Sequence, residues 1–229
     1  MPTIPIVALD VPTAADAIDL VEYLGDRCRF YKVGSELFTA TGPGIVSELR
    51  ARGCDVFLDL KFHDIPNTVT GGVRAAAALG VRLVTVHATG GRGMLEAAVE
   101  AAGTECGVLA VTVLTSLNAG EVAAVWGRGS PLNLSAEVMR LAELSASAGA
   151  HGLVCSGLEA SAVHDRFGDK LSLLVPGVRG ADATVHDQAR VITPAGAAAA
   201  GASYVVIGRM VTAAPDRRAA MERVLADLG

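Results

Sequence analysis

The chain has 229 residues, enough to bury one sizeable core. Hydrophobic residues make up 51% and charged residues 19%, a balance that excludes a disordered chain. A net charge of −5 without any Lys/Arg run argues against nucleic acid and anionic membrane surfaces as partners, whereas a small anionic ligand needs only a few local donors.

In chain order, the first residues show neither a basic leader nor a long apolar run, and the chain is expected to be cytoplasmic. Short apolar, β-favouring runs then alternate with polar turns and stretches rich in Ala, Val and Leu. Strands are predicted over 4–9, 30–33, 54–60, 82–87, 107–114, 152–155, 171–175 and 204–207. Helices are predicted to begin near Thr13, Gly44, Thr68, Gly91, Leu134, Gly157, Thr193 and Pro215. Eight strand–helix units imply a single-domain α/β fold over 1–229, a (β/α)8 TIM barrel. A doubly wound sheet is the alternative, since periodicity alone does not show closure.

Two connections are long for a compact domain. Residues 118–133, with Trp126, are expected to hold a short helix over 120–126; residues 179–192 leave their strand beside Arg179 and read as a lid. Cys28, Cys54, Cys106 and Cys155 form no C-x-x-C pair and are predicted to be buried small hydrophobes. His63, His87, His151, His164 and His186 lack metal-ligand spacing, so no metal is expected, and neither a serine-hydrolase elbow nor a dinucleotide fingerprint is present.

Chemistry-bearing residues should gather at the C-terminal ends of barrel strands. Asp10, Lys32, Asp59, Lys61, His87, Thr115, Ser116, Arg179 and Arg209 all fall at such ends. Asp59 and Lys61 are two apart on one strand and therefore share a face, and Asp64 follows three residues on. Alone, D-x-K reads as an ordinary ion pair. The late strands supply a second cluster: Pro176-Gly177 and Gly208 let backbone N–H groups approach an oxyanion, Arg179 and Arg209 add forked cationic donors, and Gln188 reaches down from the lid. That combination predicts a phosphate-monoester site.

The string Asp59-Leu60-Lys61-Phe62-His63-Asp64-Ile65-Pro66-Asn67-Thr68 resembles the active-site signature of the orotidine 5′-phosphate decarboxylases. The resemblance extends along the chain, through Asp10, Lys32 in a K-V-G turn, Thr115 in L-T-S, Arg179 in P-G-x-R, Gln188 and the final Gly208-Arg209. It implies decarboxylation of orotidylate without cofactor or metal. Lys61 would be the cation beside the developing carbanion and the proton donor, and Asp59 would lie against the departing carboxylate. Lys32 and Asp64 would complete a charged array, with Asp10 and Lys32 on the ribose and Thr115 and Ser116 on the pyrimidine edge. The whole signature, from Asp59 to Thr68, would line the substrate site together with Pro176 and the phosphate residues. It also implies a homodimer in which Asp64 and Thr68 reach the neighbour's site. Two alternatives stand beside this reading. One is a Mg2+-dependent sugar-phosphate lyase of the same suprafamily, against which Lys32 argues; the other is a catalytically silent, nucleotide-binding barrel.

Overall fold

The structure, a computed structural model, describes residues 2–129, 131–179 and 192–229. From the amino terminus run β1 (Ile4–Ala8), α1 (Ala14–Leu24), β2 (Phe30–Gly34), α2 (Ser35–Thr41), α3 (Gly44–Ala51) and β3 (Asp55–Phe62). There follow α4 (Pro66–Ala78), β4 (Leu83–His87), α5 (Arg92–Ala102), β5 (Gly107–Val111), α6 (Ala119–Trp126), α7 (Leu134–Ser147) and β6 (Gly152–Val154). The chain finishes with α8 (Gly157–Phe167), β7 (Ser172–Val178), α9 (Pro194–Ala199), β8 (Tyr204–Ile207), α10 (Arg209–Thr212) and α11 (Arg217–Leu228). Every strand pairs in parallel with the next and β8 closes on β1, so the sheet is a barrel rather than an open doubly wound sheet. No helix among the described residues is long and apolar enough to cross a membrane.

Two apolar layers hold the barrel. Outward residues such as Val7, Tyr31, Val33, Leu58, Val84 and Val86 pack under the helices in one large cluster. Inside lies a smaller plug of Ile6, Phe30, Phe57, Leu83, Leu109, Leu174 and Tyr204, with Val154 and Val206 against it. Strand side chains alternate, so moving two residues up from Phe30, Phe57 and Leu83 reaches Lys32, Asp59 and Thr85. The polar layer therefore stands directly on an apolar floor, and the helices close it off from the sides.

Several boundaries differ from the sequence expectation. β3 runs on through Phe62 and so contains Lys61. β5 stops at Val111 instead of 114 because its neighbour β6 ends opposite, at Val154, and leaves no further ladder; Thr112 instead donates its hydroxyl to Val154 O at 2.9 Å. β7 continues past Val175 to Val178, with a bulge where three residues advance against two of β8 and Gly177 adopts φ +73°. α4 begins at Pro66, two residues before the expected Thr68, because proline lacks only an N–H that the first helical turn does not need. α2 was not expected at all, being a short run between two glycines. The short helix after residue 118 is present, with Asn118 and Glu121 forming a capping box.

All four cysteines are buried and free. Burial pushes the Cys28 and Cys106 thiols up to about 11. His151, exposed just before β6, is held below its ordinary value of 6.5 by partial desolvation and then by the nearby Arg82. The unfolded chain binds that proton more readily, so the contribution to stability is complete above 6.5 and is lost as pH falls through the folded value. Thermal midpoints are expected to drop modestly as pH falls below about 6.5, and His151→Gln is expected to reduce that drop. An unchanged slope in the variant would count against the assignment.

Candidate active site

β3 carries the centre of the site. Between Leu58↔Val84 and Phe62↔Val86, β3 advances four residues against two of β4, so the ladder opens there into a bulge. Lys61 sits in that bulge at φ +50°, the one non-glycine residue with positive φ among the described residues. Such a backbone is uncommon for a residue with a side chain and must be held by its surroundings. Its N–H, which has left the ladder, donates to Thr85 Oγ1 at 2.9 Å, and the Thr85 hydroxyl in turn donates to Asp59 Oδ1 at 2.9 Å. Asp59 and Lys61 thus meet on one face, as alternation predicts, but through a bulge.

Lys61 Nζ lies 2.8 Å from each carboxylate oxygen of Asp59. On the other side Lys32 Nζ is 3.9 Å from Asp59 Oδ2 and 2.8 Å from Asp10 Oδ1. A row Asp10–Lys32–Asp59–Lys61 results, drawn from β2, β3 and the turn after β1. Its middle is dry: the Lys32 and Asp59 side chains are only 11% and 13% exposed, whereas Lys61 is 36% exposed and faces the opening. Alternation of sign keeps each buried charge compensated. A Cβ placed on Gly34 would come within 2.9 Å of Lys32 Nζ. Gly34→Ala is therefore expected to leave the fold and thermal midpoint nearly unchanged, because the flexible end of Lys32 gives way. Any turnover this row supports should fall by roughly tenfold or more, since Lys32 is pushed off its two carboxylates. Parent-level turnover in Gly34→Ala would show that the placement of Lys32 is unimportant.

The row lines a cavity of about 690 Å3 at the C-terminal mouth of the barrel, a size suited to a small organic ligand. Its walls also include Thr115, Pro176, Gly177, Arg179, Gly208 and Arg209, with Phe57, Val111, Val154 and Leu174 as floor. Nothing stands within 4 Å of a Cβ placed on Gly208, so its backbone is open to the cavity. Arg179 N donates to Ile192 O at 2.9 Å, so the chain leaves the cavity rim at Arg179 and returns beside it. Gln188 and the rest of the predicted lid, 180–191, lie outside the described residues.

The remaining signature residues do not line the cavity of their own chain. Leu60 and Phe62 point outward from β3 into the helix-facing core, and the Phe62 ring packs against α4 where Gly72 leaves room. His63 is exposed, its ring 5.3 Å from that of His87. Burial, then the charges of His63 and Lys61, keep His87 below the ordinary histidine range. The Asp64 carboxylate accepts the Ile65 N–H at 2.6 Å, and Ile65, Pro66, Asn67 and Thr68 are exposed at the start of α4. Ser116, just beyond Thr115, is also absent from the wall. Among the described residues no cluster of three His, Cys, Asp or Glu side chains has the arrangement of a metal site.

Thr85 is the residue that the motif reading passed over. The available signal was a lone hydroxyl at an inward position of an apolar strand, Leu83-Val84-Thr85-Val86-His87. Likewise Val113, Met210 and Thr212 of the wall belong to no motif.

Comparison with known proteins agrees over nearly the whole chain. The profile of the "Orotidine 5'-phosphate decarboxylase / HUMPS family" matches residues 3–224. An orotidine 5'-phosphate decarboxylase of Halorhodospira halophila is 50% identical over 226 residues, spanning 97% of this chain and 94% of the relative. One from Anaeromyxobacter sp. is 51% identical over 221 residues, 96% of each chain. The crystal structure of orotidine 5'-phosphate decarboxylase from Lactobacillus acidophilus superposes with a TM-score of 0.86 at 35% identity, over 100% of both chains. With a matching profile, curated relatives sharing about half of all positions and the same closed barrel, the chain belongs to the orotidine 5′-phosphate decarboxylase / HUMPS family.

Proposed function

We propose that the chain converts orotidine 5′-phosphate to UMP and CO2, the last step of de novo pyrimidine nucleotide synthesis, in the cytoplasm and without metal or cofactor. The observation that carries this reading is the Asp10–Lys32–Asp59–Lys61 row, dry at its middle, lining one cavity together with Arg179 and Arg209. Breaking the C6–CO2 bond leaves an electron pair in the plane of the ring, where resonance does not spread it. A fixed ammonium beside C6 is the stabiliser this chemistry needs. Lys61 Nζ, gripped by both oxygens of Asp59, supplies it, passes its proton to C6, and regains one from water.

The other roles follow from position. Asp59 lies against the substrate carboxylate and favours its departure, and Lys32 keeps Asp59 and Asp10 compensated while it and Asp10 meet the ribose. Thr115, on the cavity wall, takes the pyrimidine edge; the family resemblance adds Ser116, which stands off that wall. Pro176, Gly177, Arg179, Gly208 and Arg209 take the phosphate, with Gln188 closing over it. Because the phosphate is remote from C6, its binding energy is available to organise the reacting end.

A homodimer accounts for the rest of the signature. Asp64 and Thr68 are exposed beside Ile65, which is 65% exposed, and stand outside their own cavity; in the dimer each would complete the neighbour's site. Lys61→Ala and Asp64→Ala chains, each inactive alone, are expected to regain part of the parent turnover when mixed, because one shared site becomes intact. No recovery in exchanging mixtures would remove the shared site.

A second reading, a Mg2+-dependent sugar-phosphate lyase, is favoured by the breadth of the family description. Against it, the Lys32 ammonium occupies the place between Asp10 and Asp59 where two carboxylates would share a divalent cation. Incubation with orotidine 5′-phosphate and EDTA decides between them. Loss of the substrate's ultraviolet absorbance is expected to proceed unaltered. Turnover abolished by the chelator would favour the metal-dependent lyase, and UMP binding without CO2 release would favour a silent nucleotide-binding barrel.

A further inference from the structure

The geometry points to Thr85 as a positioning residue that holds the two reacting-centre side chains at once, a role that rests on the decarboxylase reading above. Among the described residues its hydroxyl is the single group bonded both to the Asp59 carboxylate and to the Lys61 backbone, at 2.9 Å each. It is fully buried and absent from the cavity wall, so it acts through its neighbours and touches no substrate.

Two separate needs converge on that oxygen. Where β3 bulges away from β4, the Lys61 N–H has no ladder carbonyl, and an unmet buried donor is costly. The Thr85 lone pair accepts it and so helps to keep Lys61 at φ +50°. That backbone conformation turns the Lys61 side chain back over Asp59. Meanwhile the Thr85 proton is directed to Asp59 Oδ1, the oxygen that also receives Lys61 Nζ at 2.8 Å. Once the hydroxyl donates to Asp59 its oxygen is oriented to accept from Lys61, so the two bonds reinforce one another. β-branching limits the Thr85 side chain to few rotamers, which makes the hydroxyl a rigid peg. A serine at this position keeps both bonds and loses only a methyl group. A valine keeps the shape and loses both bonds.

The test measures kcat, KM, UMP affinity and folding by circular dichroism for Thr85→Val and Thr85→Ser, with Lys61→Ala alongside. Thr85→Val is expected to fold, to bind UMP within about threefold of the parent, and to lose roughly 10- to 100-fold in kcat, in keeping with two lost hydrogen bonds, one to a charged group. Thr85→Ser is expected to return to within about threefold of the parent, since it restores both bonds. Should valine disturb the barrel, Thr85→Ala and Thr85→Cys carry the same expectation of lowered kcat with UMP binding retained. The role is overturned if folded variants without the hydroxyl turn over at the parental rate, if serine is as impaired as valine, or if UMP affinity falls in step with kcat. Failure of the underlying decarboxylase reading looks different: Lys61→Ala would itself remain active, or the parent would release no CO2.

Discussion

Replacing Lys61 with alanine is expected to lower kcat by roughly a thousandfold or more while UMP continues to bind within a few-fold of the parent. One side chain is asked to do two things, to offset the developing charge on C6 and to deliver the proton. Neither Lys32 nor either arginine is placed to substitute. Lys32 Nζ is committed 2.8 Å from Asp10, and Arg179 and Arg209 come from the ends of β7 and β8, away from β3, which carries Lys61. The fold has little reason to fail, because Lys61 is at the cavity mouth and 36% exposed, and Asp59 keeps Lys32 and Thr85 as partners. Binding of UMP depends largely on its phosphate, so the separation of kcat from product affinity is the informative measurement. Turnover within tenfold of the parent would remove Lys61 from the mechanism.

Arg209→Ala should have the second-largest effect, and of a different kind. Arg209 opens α10 directly after Gly208 and lines the cavity from the end of β8, where a planar guanidinium suits two oxygens of a phosphate. Losing a charged hydrogen bond of this type weakens binding by roughly 1.5 to 3 kcal/mol, or about 10- to 150-fold. The loss should appear for phosphate-bearing ligands and be nearly absent for the corresponding nucleosides. A remote phosphate also helps to organise the reacting end, so kcat should fall as well as affinity for the intact substrate. Equal weakening of a phosphate-free nucleoside would show that Arg209 supports the cavity wall instead of the phosphate.

Much of the site is legible before folding because strand ends of a barrel converge. Asp10, Lys32, the Asp59/Lys61 pair, Thr115, Arg179 and Arg209 come from segments far apart in sequence, yet all are on one cavity, because the C-terminal ends of the parallel strands meet at one mouth. Phe62, Ile65, Asn67 and Thr68 are adjacent to that motif in sequence but outside the cavity of their own chain, because neighbours along a strand point to opposite faces and a helix start turns the chain away. Thr85 is illegible from motifs for a related reason. Its role arises only where β3 slips against β4, and strand slippage is a property of two segments together.

Taken alone, the order of apolar runs and polar turns determined eight strand–helix units, and the charged residues at their ends determined where chemistry would gather. Both are local: they depend on periodicity and on which residue types tolerate a turn. Closure of β8 onto β1, the left-handed backbone of Lys61, the hydroxyl beneath it and the sequence Asp10–Lys32–Asp59–Lys61 in space were decided by the tertiary structure. Each requires distances between segments that strand pairing sets, and a charge row becomes ordered only when an apolar floor and packed helices keep water from screening it.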